Sequence, residues 1–138
     1  MNCDCKATLL AYNNANQAAA TNSVLSTPVV TTSGYGITFN SATTIKRPGT
    51  YLINVSADVT ADELGNVALQ LSNNGTVLPA AIAEYTATSN TDMVSMGFTY
   101  LIDVKKSCEC IDNTTVLTLL NTGVPATYNN IAMTVVRV

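Results

Sequence analysis

Between residues 51 and 59 hydrophobic and polar positions alternate without a fault. Tyr51, Ile53, Val55, Ala57 and Val59 fall on one side of an extended chain, and Leu52, Asn54, Ser56 and Asp58 on the other. A period of two marks a strand with one buried face, because successive side chains on a pleated backbone point in opposite directions. Pro48 and Gly49 precede the run and predict a type II turn, the proline presetting φ and the glycine taking the positive φ. A longer alternation sets Val94, Met96, Phe98, Tyr100, Ile102 and Val104 against Ser95, Gly97, Thr99 and Asp103, and predicts a full-width strand over 93–104. Further strands are predicted over 7–12, 35–39, 43–45, 67–72, 76–78, 81–88, 116–120 and 131–138. Residues 23–32 read as an edge strand interrupted by Pro28. Asn73-Asn74-Gly75 is a hairpin signal, Pro79 predicts the end of its return strand, and 13–22, rich in Asn and Ala without an apolar stripe, predict a loop or irregular crossing.

Some nine or ten short strands with turn residues between them, and no convincing helix, make an all-β antiparallel sandwich or jelly roll. Periodicity alone does not separate the two. The 138 residues fit one domain, here 7–138, preceded by a short cysteine-bearing tail, 1–6. Charged residues are 11% and apolar ones 47%, so the polar surface is built from hydroxyls and amides and little charge keeps copies apart. Six basic residues and a net charge of −3 argue against nucleic acid as a partner. No apolar run approaches the roughly 18 residues of a membrane span, and the opening residues are too polar for a secretory signal peptide.

Catalysis has little to work with. Without histidine no Ser-His-Asp or Cys-His arrangement can form. Asp58, Asp62, Glu63, Glu84, Asp92, Asp103, Glu109 and Asp112 would suffice for a glycosidase couple, but most fall in or beside turns, where solvated acids are expected, and there is no Trp for a sugar platform. Asp58, Asp62 and Glu63 lack the spacing of a calcium loop. The expectation is a protein that is not an enzyme and holds no metal or cofactor. Asn54-Val-Ser, Asn74-Gly-Thr and Asn113-Thr-Thr match the glycosylation pattern, as chance allows in an Asn/Thr-rich chain.

Pro48-Gly-Thr-Tyr-Leu-Ile, Val67-Ala-Leu-Gln-Leu with Asn74-Gly-Thr-Val-Leu-Pro79, Phe98-Thr-Tyr-Leu-Ile-Asp-Val, Val116-Leu-Thr-Leu-Leu-Asn-Thr-Gly123 and Ala132-Met-Thr-Val-Val-Arg-Val together resemble the C-terminal domain of BclA-type collagen-like spore-surface proteins. Leu9-Leu-Ala-Tyr-Asn13 fits as the first strand. That resemblance implies an antiparallel jelly-roll sandwich of the tumour-necrosis-factor/complement type, and a homotrimer. Trimer contacts are expected from apolar residues on sheet faces, with Tyr85, Tyr100 and Tyr128 as candidates; Phe98 fits the domain's own core better.

The chain departs from that family in having no collagen repeat and in carrying two Cys-X-Cys pairs, Cys3-Asp-Cys5 and Cys108-Glu-Cys110. Residues two apart in an extended segment point the same way, so each pair is poorly placed to bridge itself. A four-thiolate zinc site, idle reduced thiols and disulfides joining tail to loop are the three readings, with zinc disfavoured by the short spacing. Within one chain such a disulfide would close a loop of about a hundred residues, worth about 4 to 5 kcal/mol in the chain-entropy model. Between chains, the favoured form, it would clip one subunit to the next. That device resembles the N-terminal connectors of endospore appendages. The expected protein is thus a structural subunit of a spore surface or endospore appendage, exposed when the mother cell lyses. Its partners are further copies of itself and a surface anchor or tip protein. A bacteriophage head fibre or decoration on the virion surface, and a receptor- or carbohydrate-binding tip, are the alternatives.

Overall fold

The computed structural model describes residues 6–105 and 114–138. These form twelve strands and, among the described residues, no helix: β1 (Thr8–Asn13), β2 (Gln17–Ala19), β3 (Ser23–Val24), β4 (Val29–Ser33), β5 (Ile37–Phe39), β6 (Thr43–Ile45), β7 (Gly49–Ala61), β8 (Gly65–Asn73), β9 (Thr76–Ala87), β10 (Met93–Val104), β11 (Thr115–Asn121) and β12 (Ala126–Arg137). They make two sheets. The first runs β10-β7-β12-β1-β4 with β2 added to β12; the second runs β5-β6-β11-β8-β9 with β3 added to β11. Every pairing is antiparallel.

One core fills the sandwich. Tyr51, Ile53, Val55, Ala57, Val59 and Ala61 of β7, the inward half of the alternation that predicts this strand, are all buried. They join Ile131, Met133 and Val135 of β12, Val67, Leu69 and Leu71 of β8, and Leu117 and Leu119 of β11 in one cluster. Burying each large aliphatic side chain contributes about 1.5–3 kcal/mol, so β7 and β12 at the centre of the first sheet carry much of the stability. The Asn-Gly hairpin forms as predicted: Asn74 (φ 52°) and Gly75 (φ 84°) turn the chain, with Asn73 opposite Thr76. Both central residues take the positive φ of a two-residue hairpin turn.

Four expectations need correction. Residues 13–22 are not wholly loop, since β2 lies among them, paired to β12 through Ala126↔Ala19 and Tyr128↔Gln17. Gln17 holds the excursion in place: its Nε2 donates to Ser26 O and its Oε1 accepts from Ser26 N, each at 2.9 Å. Pro79 does not end its strand, because β9 is an edge strand whose pairing with β8 shifts register between Gln70↔Ile82 and Ser72↔Val77, and Pro79 falls in that irregular stretch where no ladder N–H is required. β12 starts at Ala126, five residues before the predicted Ile131, and passes through a bulge between Asn129 and Ala132 where Asn130 takes φ 51°. Gly49 has φ 149° rather than the roughly 80° of a type II turn and opens β7 directly. Its lack of a side chain admits the guanidinium of Arg137, whose Nε would stand 2.5 Å from a Cβ there.

The long strands give the sandwich two poles. At one pole Val104 pairs with Gly49, Arg137 lies opposite Tyr51, and the Arg137 amide donates to Ala7 O. At the other Met93 pairs with Thr60, Ala126 with Ala61, and Gly65 with Ala87.

Candidate subunit interface

β9 and β10 are the end strands of the two sheets and lie against each other along one edge of the sandwich. The inward row of β10 is unevenly covered. Ile102 and Val104 are buried, whereas Met96, Phe98 and Tyr100 are half-buried although packed on the core. Opposite them β9 adds Leu78 and Tyr85, likewise half-buried. The Tyr85 hydroxyl is buried with no hydrogen-bond partner among the described residues. Its phenol is pushed up, first by burial and then by the negative charge of Asp92.

The outward face of the first sheet is apolar along one rung. Leu101, Leu52 and Val136 are side by side on β10, β7 and β12, with Leu101 58% exposed. Leu10 on β1 and Val29 on β4 extend the exposed apolar surface across the remaining strands. Beyond this stripe the face turns polar around a shallow groove of about 640 Å³ lined by Asn54, Asp58, Ser95, Thr99 and Asn130. Asp58 accepts from Ser95 Oγ at 2.6 Å and from Asn130 Nδ2 at 3.1 Å. Those two hydrogen bonds, Ser95 first, hold its carboxyl below the usual range. The groove is a ladder of hydroxyls and amides, with the one carboxylate already engaged.

A search of solved structures finds the same architecture in proteins of distant sequence. Eiger TNF from S. frugiperda superposes with a TM-score of 0.71 at 10% identity, over 96% of this chain and 91% of that one. The globular domain of zebrafish complement 1qA gives 0.62 at 11% identity over 94% of each chain. The vertex protein P5 of PRD1 gives 0.59 at 17% identity over 96% of each. The fold is the tumour-necrosis-factor/complement-type jelly roll. No family model matches the chain, and no curated protein matches it by sequence.

Within this jelly roll the predicted contact residues separate. Tyr85 and Tyr100 stand at the β9–β10 edge, and Phe98 beside them is packed on the core from the same row. Tyr128 is a correction: it has no exposed surface and belongs to the core. Its hydroxyl donates to Asn121 Oδ1 at 2.9 Å, with Ala68 O at 3.3 Å, and burial pushes its pKa well above the tyrosine range. Cys3, Cys5, Cys108 and Cys110 lie outside the described residues. The acids do not converge: Asp62 accepts from Thr127 Oγ1, Glu84 from Asn66 Nδ2, and Asp103 pairs with Lys105. Among the described residues no group of three or more His, Cys, Asp or Glu is placed to hold a metal. The outward leucines escaped the sequence reading, although Leu52 and Leu101 each break an otherwise polar row and that break is their signal.

Proposed function

We propose that the protein is a non-enzymatic structural subunit that works as a homotrimer at an extracellular or virion surface. Each copy lays its β9–β10 edge on the apolar outer face of the first sheet of the next. The observation that carries this reading is that one subunit holds both halves of such a contact. Its edge has half-covered Tyr85, Phe98 and Tyr100, and its sheet face exposes Leu101, Leu10 and Val136. An edge and a face that differ from each other form a heterologous contact, which closes into a ring when the rotation is right. Domains of this fold typically form homotrimers. The non-enzymatic reading is supported by the absence of histidine and by acids tied singly to hydroxyl, amide or ammonium donors.

Within that class the leading reading is a spore-surface or endospore-appendage subunit, with Cys3 and Cys5 of one copy joined to Cys108 and Cys110 of another. In its support, Lys6 and Lys105, the described residues beside the two cysteine-bearing segments, stand at one pole. Decoration of a virion is the second reading, favoured by the likeness to the PRD1 vertex protein over nearly the full length of both chains.

Sedimentation velocity at about 0.5 M salt, where charge contacts are screened, tests the trimer. The wild type should run as a trimer, and Leu101→Asp as a folded monomer by circular dichroism. A monomeric wild type, or a Leu101→Asp variant still trimeric, overturns the proposed contact. Non-reducing against reducing electrophoresis tests the cysteine connector: covalent multimers that collapse with reductant support it, and a monomer band in both lanes removes it.

A further inference from the structure

We infer that the subunit has a basic pole and an acidic pole that dock on one another between copies, so that the protein stacks head to tail along its long axis. The charges are few and they are sorted. All five basic side chains among the described residues, Lys6, Lys46, Arg47, Lys105 and Arg137, lie where β1 and β7 begin and β10 and β12 end. Lys6 precedes Ala7, whose carbonyl accepts from the Arg137 amide, and the Lys46 amide donates to Gly36 O. The Arg47 guanidinium lies over the Tyr35 ring, 4.3 Å from its centroid. Arg137 donates through Nε and Nη2 to Pro48 O. Of the six described acids, only Asp103 shares this pole, bound to Lys105 at 2.8 Å.

The other five, Asp58, Asp62, Glu63, Glu84 and Asp92, belong to the opposite half. Asp62 and Glu63 form the exposed turn after β7, where the Asp62 amide donates to Pro125 O, and Asp92 precedes Met93 in the adjacent loop. Glu84 sits three residues in from the end of its pairing with β8, and Asp58 two residues in from the end of its pairing with β10. No basic side chain of the described residues accompanies them. Lys106, Asp4, Glu109 and Asp112 lie outside the described residues.

β7 spans thirteen residues, so the poles are roughly 40 Å apart at the rise of an extended strand. That is several times the screening length of about 8 Å at physiological ionic strength. Each pole therefore presents its own field. Like poles repel and unlike poles attract, which selects the head-to-tail orientation among the ways two copies can meet. A head-to-tail contact along an axis does not close on itself, so it generates an open stack.

The stack goes beyond the trimer and does not depend on it. Lateral contacts on the Leu101 face are apolar and survive salt, whereas pole-to-pole contacts are charged and are lost in it. A trimer with parallel subunits would triple the charge at each pole and strengthen the stacking.

The test is sedimentation velocity of the full chain under reductant, at about 0.02 M and about 0.5 M salt. At low salt the wild type should form species larger than its high-salt unit, with the association constant falling about tenfold or more as salt rises. Asp62→Lys, Glu63→Lys and Asp92→Lys together, and separately Lys6→Glu, Lys46→Glu and Lys105→Glu together, invert the sign of one described pole each and should stay at the high-salt unit even at low salt. An equimolar mixture of the two triple variants should regain the large species, because the altered poles are again complementary. Thermal melting confirms that each variant is folded. Large species that persist at high salt, that fail to form from the wild type at low salt, that form from either variant alone, or that do not return in the mixture overturn the inference. Loss of the trimer with Leu101→Asp is read at high salt and so remains a separate result.

Discussion

Tyr128→Phe should lower stability without touching assembly, and the size of the loss can be worked from the core. The ring is fully buried and remains, so no cavity larger than one oxygen is made. What is lost is the donor to Asn121 Oδ1, and Asn121 is itself fully buried, with its Nδ2 donating to Ala19 O, Ala20 O and Val124 O. An amide oxygen left unanswered in a core costs about 1–3 kcal/mol. For a chain of 138 residues the unfolding entropy is about 0.3 kcal/mol per kelvin, so the melting temperature should fall by about 3–10 °C. Asn121→Ala should cost more, since Ala19 O and Val124 O lose the amide donor, while Ala20 O keeps the Ser23 amide and the Tyr128 hydroxyl keeps Ala68 O. In the double variant the two losses should fall short of their sum by about 0.5–3 kcal/mol. The assay is thermal melting by circular dichroism at one fixed protein concentration, because the proposed self-association would make the midpoint concentration-dependent. Alkali gives a second signature. The folded pKa of Tyr128 is raised, so its stabilisation is complete below the ordinary tyrosine value of about 10 and is lost as pH climbs beyond it. Tyr128→Phe should therefore lose less stability than the wild type between about pH 8 and about pH 11. A variant that melts with the wild type, or that dissociates at an unchanged midpoint, would refute the placement of Tyr128 in a hydrogen-bonded core.

Two further outcomes follow from local geometry. Gly123→Ala would drive a Cβ to 2.3 Å from Asn66 O and 2.5 Å from Ala68 N, both backbone atoms of the central strand β8, so a loss of about 1–3 kcal/mol or more is expected by denaturant titration. Gly75→Ala meets nothing within 4 Å and carries only the strain of φ 84°, about 1–2 kcal/mol, which makes it the control. Asp58 has a depressed folded pKa, so its contribution is present above the ordinary carboxylate value and lost as pH falls through the folded one. Asp58→Asn should lower stability modestly at neutral pH, where the carboxylate's contribution is present, and converge on the wild type in acid, which flattens the acid limb of the melting profile between about pH 6 and about pH 2, and an acid limb identical to wild type would count against the Ser95 and Asn130 hydrogen bonds.

The sandwich was legible because its central strands are read by burial on one face, which leaves a period of two in the sequence. β7 and β10 follow their alternations residue by residue, and Asn74-Gly75 turns where the dipeptide requires positive φ. The parts that were not legible are held by interactions outside local pattern. β2 exists because Gln17 clamps the Ser26 backbone and β12 offers a free stretch of ladder. β9 runs through Pro79 because that residue falls in the register shift of an edge strand. The bulge at Asn129–Ala132 shifts β12 by one register step and hides the fact that Tyr128 and Ile131 face the same core. For the interface, aromatic residues were the visible signal and leucine was the missed one. An outward leucine in a Thr/Ser/Asn row reads as noise until its cross-strand neighbours Leu52 and Val136 are known.

The scarcity of charge also orders the surface. A β-sandwich coated in Thr, Ser and Asn has hydroxyls and amides that satisfy one another, as Thr99 with Asn54 and Ser89 with Thr91 do, and such a coat neither repels nor strongly attracts a second copy. Two kinds of directional information then remain. Exposed leucine on one sheet face favours lateral contact, and that contact is indifferent to ionic strength. Charge sorted to opposite ends favours axial contact, and that contact vanishes in salt. Were the same eleven described charges scattered over both faces, lateral association would meet repulsion and axial association would lose its polarity. Their segregation leaves the apolar face clear and gives the long axis a direction, which is what a subunit needs if it is to assemble in rings and in rows by independent contacts.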